Sequence, residues 1–189
     1  MVTELRIYFE GDVALRPGFH RFLNEIVEAA RSRQCRCRPI ATGATPVEDF
    51  CDALQTHREA WNVLLLDSDG PIEGPLGDLC RAKGIDASQE ESVFWMVQVM
   101  ESWFLADIAA LKAYFGNAFR EGSVRWNPKV EEIPKADIIA RLNKASGRRY
   151  HKTKDAVKLL AMIDPAKVRR AAPNCERMFK RLLSGLAEA

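Results

Sequence analysis

The chain has 189 residues, of which 47% are hydrophobic and 29% are charged, as expected for a globular protein with a sizeable core. It begins without a signal-peptide pattern and contains no apolar run close to the twenty or so residues that span a bilayer, so we expect a cytoplasmic protein with no membrane partner. Its five cysteines are odd in number and scattered, which favours reduced thiols over a disulfide framework.

The net charge of +2 hides an uneven distribution along the chain. Residues 135–184 contain 14 lysines or arginines and 4 aspartates or glutamates, so this part carries +10 and the remainder carries −8. A carboxylate metal site joined to a polyanion-binding surface would show such a pattern. A solvated helical face is the commoner explanation of basic runs, and both interpretations stay open at this point.

Apolar segments in the first part of the chain predict the order β-α-β-α-β. The first strand covers Leu5–Phe9 and ends at Glu10-Gly11, and Pro17 opens a crossover helix that continues to Ala30. The next predicted elements are a strand over 35–40, a helix over 47–57 and a strand buried on both faces around 63–66. Right-handed parallel connections would bring the ends of the first and third strands to the same sheet edge.

The second part of the chain is predicted to be mainly helical. A helical turn over 76–81 precedes a fourth strand over 92–100, which runs directly into a helix from Glu101 to about Phe115. A loop-rich stretch over 116–134 leads to four helices, at 136–144, 152–163, 165–171 and 174–186. We therefore predict an α/β core over residues 1–115, with a largely parallel sheet flanked by helices, and a helical, basic extension over residues 116–189 packed on that core.

Acidic side chains follow three of the predicted strands. They are Glu10 after the first strand, Asp67 and Asp69 after the third, and Glu101 after the fourth. On an extended chain a two-residue spacing places both aspartates on the same side. Ligands of open α/β sheets bind at this edge, and carboxylates held close together call for a hard divalent cation between them. The pattern predicts a Mg²⁺ or Mn²⁺ site, although single strand-end acids are common and phosphatases and nucleotide-sugar transferases also use Asp-x-Asp.

A basic segment over 147–154 combines positive charges with two rings. Its candidate nucleic-acid ligands are Arg148, Arg149, His151, Lys152 and Lys154. Basic groups interleaved with aromatic rings suit a phosphate backbone and stacked bases. The alternative is the solvated flank of a helix N-terminus, which this segment by itself would favour.

Two sets of residues carry a resemblance to known families. With Glu10-Gly11 after the first strand and Asp67-Ser68-Asp69-Gly70 after the third, the sequence resembles the Toprim family shared by topoisomerases, bacterial primases and OLD nucleases. The stretch Met100–Leu105 and the later Tyr150-His151-Lys152 are more specific. They resemble the bacterial domain-of-unknown-function family 4276, relatives of RloB-type Toprim proteins, over nearly the whole chain.

The resemblance implies a Toprim-like, Rossmann-like core that binds Mg²⁺, in families often encoded beside ATPases in anti-phage or restriction loci. By position, Glu10 would be a metal ligand or general base, and Asp67 and Asp69 the metal-binding pair. Glu101 matches the acid of a Glu-x-Trp motif and Lys152 the basic residue after the tyrosine, which implies catalytic roles for both. Many Toprim nucleases carry a further acid beyond the first glycine, where this sequence offers only Asp12, so one or two metal ions are possible.

Three functional hypotheses follow. The leading one is a Mg²⁺-dependent nuclease that cleaves DNA or RNA, because the acids of the predicted metal site are intact. The second is a non-catalytic sensing or regulatory subunit that works with a partner ATPase. The third is a nucleotide-binding phosphatase or transferase. The sequence leaves open the choice between DNA and RNA, the trigger of activity and the oligomeric state.

Overall fold

The computed structural model describes residues 2–124 and 127–188. Its strands are β1 (Glu4–Phe9), β2 (Arg36–Ala41), β3 (Trp61–Asp67) and β4 (Val93–Met96). Its helices are α1 (Arg16–Phe22), α2 (Asn24–Ser32), α3 (Pro46–Thr56), α4 (Leu76–Ala82), α5 (Ile108–Phe115), α6 (Lys135–Ala145), α7 (Lys152–Met162), α8 (Pro165–Ala171) and α9 (Pro173–Glu188). Within these ranges no helix has both the length and the apolarity needed to cross a membrane.

The four strands form one parallel sheet in the order β2-β1-β3-β4. The predicted fold class is confirmed, since an all-parallel sheet flanked by helices is consistent with the expected Toprim-like, Rossmann-like architecture. From β1 the chain first goes outward to β2 and then returns to β3 on the other side, so the direction of strand addition reverses between β1 and β3. In open α/β sheets ligands bind beyond the carboxyl ends of the strands at such a switch point.

Successive residues of the strands point to opposite faces of the sheet and contribute side chains to two apolar clusters, one on each face. On one face Leu64 and Leu66 pack with side chains of α3 and α4, including Phe50. On the other face Val63 and Leu65 join a larger cluster with α1, α2 and the C-terminal helices. The four strand residues are at most 2% exposed, which confirms that β3 is buried on both faces. The sheet is therefore the middle layer of three.

The C-terminal helices share the larger apolar cluster with the sheet. Helix α7 packs on α1 so closely that a Cβ atom added to Gly18 would lie 3.1 Å from the Cβ of Leu160. The ring of Phe179 in α9 meets Phe22 edge-on, with centroids 5.9 Å apart. This packing presents the start of α7 to the carboxyl edge of the sheet. The boundary predicted between residues 115 and 116 stays a prediction, and Arg125 and Trp126 of the predicted loop lie outside the described residues.

Three predicted elements differ in their limits. The crossover helix is interrupted at Leu23, whose ψ of 15° separates α1 from α2. Strand β4 ends at Met96, and the following Gln98 has a φ of +68°, which is incompatible with an extended strand. Glu101 therefore lies within a 3₁₀ helix over Met100–Ala106 and not directly at a strand end. Helix α5 begins only after Asp107, whose carboxylate accepts the Ala110 N–H as an N-cap.

Candidate active site at the switch point of the sheet

Glu10 and Asp67 lie together at the carboxyl ends of the neighbouring strands β1 and β3, as predicted. The Glu10 N–H donates to the Leu65 carbonyl at 3.2 Å, which extends the β1–β3 ladder by one residue. Its carboxylate Oε2 accepts the Asp67 N–H at 3.3 Å, and Asp67 Oδ1 in turn accepts the Met100 N–H at 2.8 Å. Both acids are half-buried and held in place by backbone groups.

The Asp67 carboxyl lies in an environment that disfavours its charge. Burial, followed by the negative charges of Glu10 and Glu101, raises the pKa of Asp67 from its ordinary value of 3.8 to about 7. The hydrogen bond from Met100 and the positive charge of Lys152 offset only part of this effect. Glu10, Glu101 and Lys152 are thus within electrostatic range of Asp67, and a cation would neutralise the excess negative charge around this carboxyl.

Glu101 is held from behind by a tyrosine that the sequence patterns did not assign to the site. The glutamate is 1% exposed, and its Oε1 accepts the Tyr150 O–H at 3.1 Å. Burial and the neighbouring Glu101 charge raise the pKa of Tyr150, so the phenol stays a donor. The Glu-x-Trp and Tyr-His-Lys motifs therefore meet in space, and the place of Tyr150 within the second motif was the signal available in the sequence.

His151 and Lys152 have different positions at the start of α7. His151 is the N-cap of the helix, with its Nδ1 accepting the Lys154 N–H at 3.3 Å, and its own N–H donates to Asp155 at 2.7 Å. Asp155 also accepts the Tyr114 O–H at 2.7 Å, which ties the start of α7 to α5. The predicted nucleic-acid contact of His151 therefore competes with a capping role. Lys152 is exposed and near enough to act on the charge of Asp67.

Asp69 does not join the pair formed by Glu10 and Asp67 through its carboxylate. Strand β3 ends at Asp67, and the φ of +61° at Asp69 breaks the extended geometry on which the two-residue spacing argument depended. Its carboxylate instead binds Lys83 at 3.0 Å and Lys135 at 2.7 Å. Burial acts to raise its pKa, but the hydrogen bonds from Lys135 and Lys83 outweigh burial, and the pKa of Asp69 is lowered.

The basic segment forms the turn between α6 and α7 next to Tyr150. Gly147 and Arg148 both have positive φ angles, which end α6 and reverse the chain. Arg148, Arg149 and Lys154 are exposed, as expected for groups that contact a polyanion and equally for a solvated helix flank. The segment and the acidic pair are thus on the same side of the molecule, because Tyr150 reaches Glu101 and Lys152 acts on Asp67.

The donor set can be compared with the requirements of a divalent ion. In residues 2–124 and 127–188 no group of three or more His, Cys, Asp or Glu side chains is arranged to hold a metal ion. Asp69 is occupied by two lysines, and Glu101 is engaged by Tyr150. The remaining pair, Glu10 and Asp67, fits Mg²⁺, which commonly binds through one or two carboxylates and completes its shell with waters and substrate phosphates.

Comparison with known proteins identifies the family of the chain. The family described as Domain of unknown function (DUF4276) matches residues 13–183, which include Asp67, Glu101 and Lys152 and begin three residues after Glu10. Searches of curated proteins and of solved structures found no significant match. The family expected from Met100–Leu105 and Tyr150–Lys152 is confirmed, and the chain belongs to the DUF4276 family.

Proposed function

We propose that this chain is a Mg²⁺- or Mn²⁺-dependent nuclease of Toprim type that hydrolyses phosphodiester bonds of DNA or RNA, in an anti-phage or restriction-type defence system. The observation that carries the proposal is the contact between Glu10 and Asp67 at the carboxyl ends of neighbouring strands, with Glu101 and Lys152 within electrostatic range of Asp67. A carboxyl whose pKa is displaced by burial and by like charges is typical of functional sites. The defence setting and a partner ATPase rest on the family resemblance alone.

Each residue of the cluster has a role that follows from its position. Glu10 and Asp67 would hold the ion, which when bound polarises a phosphoryl oxygen and lowers the pKa of water. The Met100 N–H fixes the orientation of Asp67. Glu10, at the mouth of the site, would accept a proton from the attacking water. Lys152 would stabilise the negative charge that accumulates on the scissile phosphate.

The direct test is a cleavage assay with the purified chain. Supercoiled plasmid DNA and total RNA would be incubated with Mg²⁺, Mn²⁺ or EDTA, with and without any ATPase encoded beside the protein. We expect products only with a divalent ion, and the substrate that is cleaved decides between DNA and RNA. If no product forms with either ion in either condition, the proposal is wrong.

A second candidate function is a sensing or regulatory subunit that binds nucleic acid without cleaving it. It is favoured by one observation, that Asp69 is neutralised by Lys83 and Lys135 and leaves two carboxylates at the mouth of the site. Such a protein would bind an oligonucleotide and return it intact from every condition of the assay. It would also change the ATPase rate of its partner on binding.

Tyr150→Phe tests the contact behind Glu101. Removing the phenol hydroxyl leaves a buried carboxylate without its donor, so we expect the free energy of unfolding to fall by about 1–3 kcal/mol, measured by urea denaturation. The matched variant is Tyr114→Phe, which removes a tyrosine–carboxylate hydrogen bond to Asp155. Both should destabilise, and Tyr150→Phe should slow cleavage more than Tyr114→Phe under conditions where each variant is folded. Equal cleavage rates in the two variants would show that Tyr150 does not position Glu101 for cleavage.

Arg148→Ala/Arg149→Ala tests the basic segment. We expect weaker binding of any oligonucleotide sequence and a flatter dependence of log K on log salt, by about 0.7–0.9 for each phosphate that the protein no longer neutralises, because fewer counterions are released. Fluorescence anisotropy over a salt series measures both quantities. The control is Arg31→Ala/Arg33→Ala, an exposed pair at the end of α2. If both double variants keep the parent slope, the segment does not contact the phosphate backbone.

A further inference from the structure

Two lysines from distant parts of the chain converge on one carboxylate beside the candidate active site. Lys83 follows the end of α4 and binds Asp69 Oδ2 at 3.0 Å. Lys135 is the first residue of α6 and binds Asp69 Oδ1 at 2.7 Å. Each lysine thus takes one oxygen of the same anion. The negative charges of Asp67 and Glu10 also act on Lys135, which places this ammonium group within electrostatic range of the acidic pair.

The arrangement is fixed by a buried glutamine. Gln98 is 4% exposed, and its carbonyl accepts the Asp69 N–H at 3.0 Å while its side-chain Oε1 accepts the Lys135 N–H at 3.1 Å. Its own N–H donates to the Ser68 hydroxyl at 2.8 Å. The backbones that carry Asp69 and Lys135 are therefore held relative to one another through one residue. The position of the lysine pair is built into the fold, while its side chains stay accessible to solvent.

We propose that Lys83 and Lys135 form a binding site for a backbone phosphate of the polynucleotide substrate, and that Asp69 occupies this site until a phosphate displaces it. The inference rests on the proposed function, since it assigns the substrate-binding groups of that same site. In this role Asp69 is an internal anion that neutralises two lysines in the free protein. Lysine ammonium groups are common phosphate ligands that act as point charges.

The exchange is favoured by exposure. The side chains of Lys83, Lys135 and Asp69 are 31%, 46% and 49% exposed, and ion pairs at such exposure contribute little to stability, so breaking them costs little. A phosphate diester presents two anionic oxygens that can replace the two carboxylate oxygens one for one.

The charges that line the cavity beside Lys83 and Asp69 limit where a phosphate can lie. This cavity has a volume of about 600 Å³ and is lined by Glu10, Asp69 and Lys83 together with the acids Glu48 and Asp52 of α3. The α3 wall would repel a polyanion, whereas the lysine side attracts it. A substrate strand would therefore pass on the side of the lysine pair, of which Lys83 lines the cavity and Lys135 lies outside its lining, and would leave the α3 side free.

The test distinguishes the contribution of the two lysines to oligonucleotide binding from the general effect of net charge. The variants are Asp69→Asn, Lys83→Met/Lys135→Met, and the combination of all three changes. Asparagine is chosen because it tolerates the positive φ of this position. Binding of a fluorescein-labelled single-stranded DNA is measured by anisotropy in EDTA. Glu121→Gln, which removes the carboxylate partner of Lys112, is the matched control for removal of one negative charge from an exposed ion pair.

We expect Asp69→Asn to bind the oligonucleotide about three- to tenfold more tightly than the parent, because a phosphate no longer has to displace the Asp69 carboxylate from the two lysines. The lysine double variant should bind more weakly. In the Lys83→Met/Lys135→Met variant, Asp69→Asn should not increase the affinity for the oligonucleotide further. A long-range effect of net charge would still increase the affinity in that variant. Glu121→Gln should stay close to the parent.

Three results would overturn the proposal. An equal gain from Asp69→Asn with and without the lysines would mean that only net charge matters. A decrease of Mg²⁺ affinity in Asp69→Asn, measured by calorimetry without nucleic acid, would make Asp69 a metal ligand. A gain for inorganic phosphate and none for the oligonucleotide would assign the pair to a free anion. Because the binding assay needs no cleavage, its outcome is independent of whether the chain proves to be a nuclease.

Discussion

Asp67→Asn is expected to reduce metal-dependent cleavage by at least about 100-fold, at any pH at which the parent protein is active. The amide oxygen can still accept the Met100 N–H, so the local fold is kept, but the negative charge that would hold the ion is removed. Cleavage of the preferred substrate, followed over time with Mg²⁺ and with Mn²⁺, measures the effect. Calorimetry should show weaker binding of either ion by the variant.

The matched control for this substitution is Asp78→Asn. Asp78 is an exposed aspartate of α4 that pairs with Arg81, so the substitution removes the same charge without touching the site. The variant should cleave as the parent does. Undiminished cleavage in Asp67→Asn and in Glu10→Gln would place the nuclease elsewhere in the assembly and would leave this chain a binding subunit.

The second large effect is expected in the dependence of stability on pH. Asp67 has a pKa of about 7 in the folded protein and an ordinary value of 3.8 when unfolded, so the folded state holds the proton more tightly. This group contributes full stability below pH 4 and loses its contribution as the pH rises to about 7. At 1.36 kcal/mol per pKa unit the decrease in stability is at most about 4 kcal/mol. Asp67→Asn has no such proton and should lose less stability than the parent over this range.

Urea unfolding at pH 5 and pH 8 in EDTA measures this difference. The parent should lose more stability than Asp67→Asn between the two pH values, and Mg²⁺ at pH 8 should restore stability to the parent more than to the variant. Asp69→Asn is the control, because the lowered pKa of Asp69 confines its effect to acid pH, where its stabilising contribution is lost. If the free energy of unfolding depends on pH in the same way for the parent and for Asp67→Asn, ionisation of Asp67 does not destabilise the folded protein.

The strands and the first pair of site residues follow from local sequence pattern. The apolar run before Asp67 predicts a strand buried on both faces, because only such a strand lacks polar alternation, and the structure confirms it. The β-α-β-α-β order implies parallel strands, which brings Glu10 and Asp67 to the same edge. The +10 charge of residues 135–184 likewise marks the polyanion-binding candidate without knowledge of the fold.

Tertiary structure alone decided which polar groups are partners. The sequence spacing of Asp67 and Asp69 suggested equivalent roles. In the structure Asp69 has a left-handed backbone conformation beyond the end of β3, and its carboxylate binds Lys83 and Lys135. Glu101 and Tyr150 are 49 residues apart and meet because α6 and α7 pack against the 3₁₀ helix that carries Glu101. Periodicity reports which face of an element is apolar, whereas a contact between two polar side chains depends on where distant elements are placed. That placement is set by the packing of the whole core, which no local pattern encodes.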